Sequence, residues 1–224
     1  MDENEAQAIA DGLKRRVLDA ALPIAGFDGW TAATLRKAAE AAGVDPALAE
    51  NAFPRGGTDL LAFHAAEADR HMLEALEALD QSALRTHERV REAIRIRLDQ
   101  AAPHREAVRR AVMLLGLPHN GPLAARLLYR TVDAVWYGVG DGATDFSFYT
   151  KRATLAAVYA ATLAVWIGDD SPGAEATLAF LDRQLADIGA VGRLRGRIEA
   201  SIGKLPSVAG ILGRLRYPSG GRSA

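Results

Sequence analysis

Four side chains able to hold a metal recur along one stretch: His64, Glu67, His71 and Glu74, at spacings of three, four and three. Such spacings put imidazoles and carboxylates on one side of a helix, where they could share an ion. A di-iron carboxylate bundle, however, needs two Glu-x-x-His pairs facing inward. None of the five histidines has a Glu three residues before it. The set therefore reads as a solvated polar face, and neither a metal nor an organic cofactor is expected. There is no nucleophile elbow, phosphate loop or nucleotide fingerprint. Gly138-Val139-Gly140-Asp141-Gly142 is glycine-rich, but it follows a helical pattern instead of a strand and reads as an interhelical loop. Cysteine is absent, which removes disulfides and thiolate ligands and fits a reducing compartment. No catalytic residue emerges, so the chain is expected to bind rather than to catalyse.

Three features could bind. The first is Asp133, Trp136 and Tyr137. Neighbours on a helix point about 100° apart, so Trp136 continues an apolar stripe while Tyr137 turns outward. A surface aromatic beside an acid suits a protein–protein hot spot; the alternative is that both rings pack inside. The second lies between two apolar helices. Leu127, Leu128, Thr131, Val132, Val135 and Trp136 form one stripe, and Leu155, Tyr159, Thr162, Leu163 and Trp166 another. Behind the second run Ala153, Ala156, Ala157, Ala160, Ala161 and Ala164. Small side chains let helices approach, or leave room for an apolar ligand in the bundle; Leu128, Val132, Leu155, Tyr159, Leu163 and Trp166 would line it. The third is the C-terminal tail. Leu194, Ile198, Ile202, Leu205, Val208, Leu212 and Leu215 recur at steps of three and four, interrupted by Pro206. Residues 193–224 hold seven basic residues and one acidic, a net +6 in a chain whose net charge is −1. A basic amphipathic helix of this kind suits an anionic membrane surface, the alternatives being a helix docked on the domain or a partly disordered tail.

These features must be held by helices. The 224 residues are 49% hydrophobic, enough for a substantial core, and the apolar period is helical throughout. Helices are expected at about 5–22, ended by Pro23, then from Thr31 or Thr34 to Gly43, and from Asp45-Pro46 to Pro54. A long helix capped by Thr58-Asp59 follows to about 79, with others at 83–102, 104–115, 122–138, 146–168 (capped by Asp145) and 172–191. Three regions result: a helix-turn-helix-like part at 1–57, a bundle at 58–192 and the basic tail at 193–224. The N-terminus is acidic, unlike a secretory signal. The longest uncharged stretch, 153–168, is shorter than the roughly 20 residues a spanning helix needs.

The second and third helices resemble the helix-turn-helix of TetR-type repressors, which suggests a ligand-responsive transcriptional regulator. Their charge argues against it. DNA is held by Lys and Arg on phosphates, yet the would-be recognition helix carries Asp45 and Glu50 and no cation, and residues 1–60 hold six basic and ten acidic residues. Arg36, Lys37 and Arg55 remain as candidate phosphate contacts. DNA binding is not expected, and the motif reads as a retained structural unit.

Longer blocks point to one family. Leu18-Asp19-Ala20-Ala21-Leu22-Pro23, Phe27-Asp28-Gly29-Trp30-Thr31, Ala52-Phe53-Pro54-Arg55-Gly56-Gly57, Asp133-x-x-Trp136-Tyr137, Gly140-Asp141, Thr144-Asp145-Phe146 and Tyr149-Thr150-x-Arg152-Ala153 resemble the Coq-nine family, lipid-binding accessory proteins of ubiquinone biosynthesis. The resemblance implies an all-α, TetR-like helical bundle with a vestigial helix-turn-helix and a C-terminal amphipathic helix. It implies a pocket for isoprenoid quinone intermediates or a phospholipid, and a membrane-contacting tail through Leu194, Ile198, Ile202, Leu205, Leu212 and Leu215. It also implies a patch at Asp133, Trp136 and Tyr137 that docks demethoxyubiquinone hydroxylase, and a homodimer. With no transit peptide at its N-terminus, the chain is expected in a bacterial cytoplasm, peripheral to the inner membrane.

Overall fold

The computed structural model describes residues 3–140 and 146–202. Among the described residues there are nine α-helices and no strand, so the fold is all-α. Helix α1 (Glu3–Asp28) runs straight through Pro23, where an end was expected. A proline inside a helix costs about 3 kcal/mol, but Ala21 and Ala25 on either side are fully buried, and their packing holds the helix on course. It stops six residues later, at Gly29 with φ +74°. Helix α2 (Ala32–Ala41) is capped by Thr31, whose hydroxyl accepts from the Thr34 N–H at 3.0 Å. Helix α3 (Pro46–Ala52) starts as its Asp-Pro pair dictates, Asp45 accepting from the Ala47 N–H at 2.7 Å.

Helix α4 (Gly57–Glu77) begins differently from expectation. Its N-cap is Gly56, and Asp59 sits in the first turn, where it accepts from the Arg55 N–H at 2.7 Å. The reason is steric. The Gly57 backbone lies directly on the Trp30–Thr31 peptide: a Cβ at Gly57 would stand 2.3 Å from the Trp30 carbonyl carbon and oxygen. The Trp30 ring is 5% exposed, donates through Nε1 to the Ala107 carbonyl at 2.9 Å and stacks on His64 at 5.3 Å. One tryptophan thus fastens the helix-turn-helix to the first turn of α4 and to a later helix.

Helices α5 (Thr86–Ala101) and α6 (Arg105–Leu115) are joined by the 3₁₀ turn Ala102–His104. Helices α7 (Gly121–Gly138), α8 (Phe146–Ile167) and α9 (Glu175–Ile202) complete the set, α9 continuing past the expected end near 191. Helix α1 packs on α2 and α6, α4 packs on α5 and α7, and α7 packs on α8. Residues up to Asp182 form one compact unit; a second begins at Arg183, inside α9, and is helical to Ile202. No helix among the described residues is long and apolar enough to cross a membrane.

The Gly57 contact predicts an asymmetry between two glycines. Gly57→Ala forces a methyl into the Trp30 backbone and should cost about 1–3 kcal/mol, lowering Tm by several degrees. Gly12 lies within α1 with nothing within 4 Å of a new Cβ, so Gly12→Ala should raise Tm slightly. Thermal denaturation followed by circular dichroism checks both; equal effects would contradict the close approach.

Candidate functional site

The first unit encloses a cavity of about 420 Å³, within the range of small-molecule sites. Its wall is mostly apolar and drawn from six helices: Leu18 and Leu22 of α1, Leu61 and Ala65 of α4, Leu98 of α5, Val108, Val112 and Leu115 of α6, Leu127 and Leu128 of α7, and Leu163 of α8. The wall also includes exposed Asp19, His71, Gln100, Ala160 and Ala164, so the space is open to the surface beside them. Ala160 and Ala164 belong to the small-residue run of α8, which here borders an open space.

A cluster of polar groups interrupts this wall. Arg97, from the middle of α5, donates through Nε to the Tyr159 hydroxyl at 2.9 Å and through Nη2 to the Thr131 hydroxyl at 3.4 Å. Its Nη1 lies 3.1 Å from Asp69 Oδ1, both side chains 11% exposed. The approach is an ion pair without hydrogen-bond alignment, so neither atom has a hydrogen-bond partner among the described residues. Burial pushes the Asp69 carboxyl above its ordinary range, an effect that the Arg97 charge and the Thr131 hydroxyl oppose. His64 also borders the cavity, and burial, reinforced by the Arg97 charge, lowers its pKa to about 4. The imidazole is therefore neutral at physiological pH.

His64 and Glu67 depart from the reading of a solvated face, while His71 and Glu74 on the same helix are exposed as that reading expects. His64 faces the cavity, while Glu67 is 9% exposed. The Glu67 carboxylate accepts from Arg70 and Arg15, each at 2.8 Å, and these partners hold its pKa below the usual carboxylate range. Arg70 also pairs with Glu74. Both carboxylates are thus engaged by guanidinium groups, and among the described residues no group of three or more acids and histidines is arranged to hold a metal.

Of the six expected pocket residues, Leu128, Tyr159 and Leu163 stand on the cavity wall. Val132, Leu155 and Trp166 do not; they are buried in the core at 1%, 3% and 1% exposure. At 100° per residue, Trp166 and Leu155 point about 90° and about 110° away from the centre of the α8 wall residues, and Val132 about 90° away from that of α7. Trp166 instead lies under the Arg105 guanidinium, 4.9 Å from its ring centre. Sequence reasoning missed Arg97 and His64 as wall residues and Asp69 as the buried partner of Arg97. A signal was available: Arg97 falls in the apolar row of Val90, Ile94 and Leu98, and Asp69 falls in the row of Leu61, Met72 and Leu76. Charges at two buried rows mark an internal pair.

Tyr137 is 78% exposed at the end of α7, and Trp136 is half-buried with the Lys151 ammonium 5.6 Å from its ring centre. Asp133 is held by Arg152 at 2.8 Å. The three side chains therefore sit on one fixed turn. Leu194, Ile198 and Ile202 fall on the α9 backbone, with side chains outside the described residues; Leu205, Leu212 and Leu215, like the expected Asp145 cap, lie outside them altogether. On α3, Asp45, Leu48 and Glu50 are exposed. Among the candidate phosphate contacts, Lys37 pairs with Asp28 and Arg55 with Asp59, each at 2.6 Å, and Arg36 is exposed.

His64 predicts a pH dependence. Its folded pKa lies below the unfolded value near 6.5, so the unfolded chain takes the proton first. Its contribution is complete above pH 6.5 and is lost as pH falls toward 4, with a limiting slope of about 1.4 kcal/mol per pH unit. His64→Gln should flatten the fall in Tm between pH 6.5 and 4.5; an unchanged slope would contradict the burial.

Known proteins resemble this chain in both sequence and fold. A family model described as COQ9 matches residues 121–192. The ubiquinone biosynthesis protein COQ9, mitochondrial, of Homo sapiens is 33% identical over 207 residues, 89% of this chain and 65% of the human protein. The ubiquinone biosynthesis protein COQ9-B of Xenopus laevis is 31% identical over 219 residues, 95% of this chain and 74% of its own length. The chain thus spans about two thirds of the relatives it matches. A solved TetR transcriptional regulator from Nitrosomonas europaea superposes with a TM-score of 0.63 at 24% identity, covering 78% of this chain and 97% of that one. That likeness shows a TetR-like fold.

Proposed function

The chain belongs to the COQ9 family, and from that premise we propose that it is a non-enzymatic, lipid-binding accessory protein of ubiquinone biosynthesis. It takes a polyprenylated quinone intermediate into the cavity between α1 and α8 and presents it at a membrane surface to demethoxyubiquinone hydroxylase. The observation that carries this reading is the cavity of about 420 Å³, mostly apolar yet open to the surface. It has room for a ring and the first part of an apolar tail. Burying such a tail contributes about 25 cal/mol per Å² of apolar area, so the wall alone supplies affinity without base-like or acid-like machinery.

The docking patch is Asp133, Trp136 and Tyr137. Tyr137 offers a large exposed ring on a turn fixed by the Asp133–Arg152 pair, and an aromatic on a rigid base loses little entropy on binding. The basic amphipathic tail, through Leu194, Ile198, Ile202, Leu205, Leu212 and Leu215, supplies attraction to anionic lipid. The chain works as a homodimer, peripheral to the bacterial inner membrane. A DNA-binding regulator is the reading to which the fold alone points; the acidic, cation-free surface of α3 opposes it.

One experiment separates these roles. Protein purified from a quinone-producing host should carry an isoprenoid lipid by extraction and mass spectrometry. Leu163→Trp, which fills the cavity, should remove that lipid while circular dichroism stays helical. Tyr137→Ala should keep the lipid but weaken hydroxylase capture by about tenfold or more. Wild-type protein without lipid, or a Leu163→Trp variant with as much as wild type, would contradict the binding role. Undiminished capture by Tyr137→Ala would contradict the patch.

A further inference from the structure

We propose that the docking face of α7 extends one and a half turns before Asp133 as a cationic surface, formed by Arg126, Tyr129 and Arg130, and that this extension takes an acidic segment of the docked protein. The inference rests on the docking-patch reading above and names the chemistry that the partner must bring.

Helix α7 has two sides. At 100° per residue, Arg126, Tyr129, Arg130, Asp133, Trp136 and Tyr137 fall within an arc of about 120°. Leu127, Thr131 and Val135 centre on the opposite side and are buried. The six outward residues span about 16 Å of helix, so they form one continuous strip. Tyr129 is 49% exposed and Tyr137 78%; Arg126 and Arg130 are exposed beside them.

The charge of this strip is unbalanced. Its one acid, Asp133, is held by Arg152 at 2.8 Å. Arg126 and Arg130 stand at i and i+4, where like charges disfavour a helix. Neither side chain makes a hydrogen bond or an ion pair among the described residues. The Arg130 charge reaches Asp69, but that carboxylate is buried 3.1 Å from Arg97. Other helices answer their arginines within a turn. Arg70 pairs with Glu67 and Glu74, Arg95 with Glu92 and Asp99, and Arg109 with Glu106. On α7 a repelling pair is kept at the surface instead, and carboxylates from a partner would relieve it.

The residue types favour a protein over a lipid surface. Tyrosine, tryptophan and arginine dominate protein–protein hot spots, and beside Asp133 the strip holds only these. A helix lying in a bilayer surface needs an aliphatic side turned to the acyl chains, whereas α7 spends its aliphatic residues on the core. Guanidinium groups match carboxylates in a two-pronged geometry. Two of them one helical turn apart, with the Tyr129 ring alongside, fit an acidic segment with carboxylates at a similar spacing.

The test measures association of the full chain with immobilised demethoxyubiquinone hydroxylase by biolayer interferometry, at about 50 mM and about 1 M salt. Charges that steer docking act on the association rate and are screened by salt. At low salt Arg126→Gln and Arg130→Gln should each lower that rate about threefold, and the double variant about tenfold, with dissociation changed less than about twofold. Near 1 M salt the differences should vanish. Arg36→Gln on α2, an exposed arginine outside the strip, changes the net charge equally and should leave the rate as in wild type. Circular dichroism establishes that each variant is folded. Loss of capture by Tyr137→Ala with wild-type rates for both arginine variants would overturn the cationic extension and leave the docking patch standing. An Arg36→Gln effect equal to theirs would reduce the result to net charge and overturn it as well. Weakened binding of the double variant to phosphatidylglycerol vesicles, with hydroxylase association unchanged, would overturn it in favour of a lipid surface. No association of wild type with the hydroxylase would remove the docking reading and this inference with it.

Discussion

Everything in the first unit depends on how Trp30 is seated. Its backbone forms the floor on which α4 starts, at a separation that only a glycine at position 57 permits. Its ring is almost wholly buried, its indole N–H is spent on the Ala107 carbonyl of α6, and its face carries His64 of α4. One residue from a turn thereby sets the relative position of α1, α4 and α6, three of the six helices that wall the cavity. The Phe27-Asp28-Gly29-Trp30-Thr31 and Arg55-Gly56-Gly57 blocks are two halves of that contact. Gly29 and Gly56 supply positive φ, and Gly57 supplies the space.

Around that anchor, the helix-turn-helix has become a supporting element. Its turn chemistry is intact: Thr31 and Asp45 cap, and Gly43 adopts φ +63°. Its surface carries acids where phosphate contacts would need cations. Exposed Asp45 and Glu50 remain on α3, and Lys37 and Arg55 are bound to carboxylates of their own fold. The open space lies instead between α1 and α8, where leucines, valines and alanines leave an opening bordered by Arg97 and His64. The structure therefore combines a TetR-like fold with an acidic α3 and an open, mostly apolar cavity.

Much of this was legible in the chain. The helix boundaries from Thr31 to Pro54 follow from side-chain caps and glycines, which act within a few residues. Pro23 misled because its local cost is outweighed by burial of Ala21 and Ala25, a tertiary effect invisible to local rules. The start of α4 misled for the same reason: the Trp30 contact lies 27 positions away in sequence. Apolar stripes identified α7 and α8 as pocket helices, but a stripe does not say which third of its arc stays uncovered. That is why Leu128, Tyr159 and Leu163 meet the cavity while Val132, Leu155 and Trp166 pack in the core. His64 reads as part of a solvated face, and Arg97 and Asp69 draw no notice, because charged and polar residues on helices are usually solvated; only the three-dimensional pairing reveals that these are internal.

The central claim is that the ligand sits among these wall residues, beside Arg97. A photoreactive diazirine placed on the first isoprene unit of a short quinone analogue tests it directly. After irradiation and peptide mass spectrometry, adducts should map to the α7 and α8 wall, at or beside Leu128, Tyr159 and Leu163, and excess unlabelled quinone should suppress them. Adducts confined to α3 or scattered over the surface, unaffected by competitor, would contradict the account.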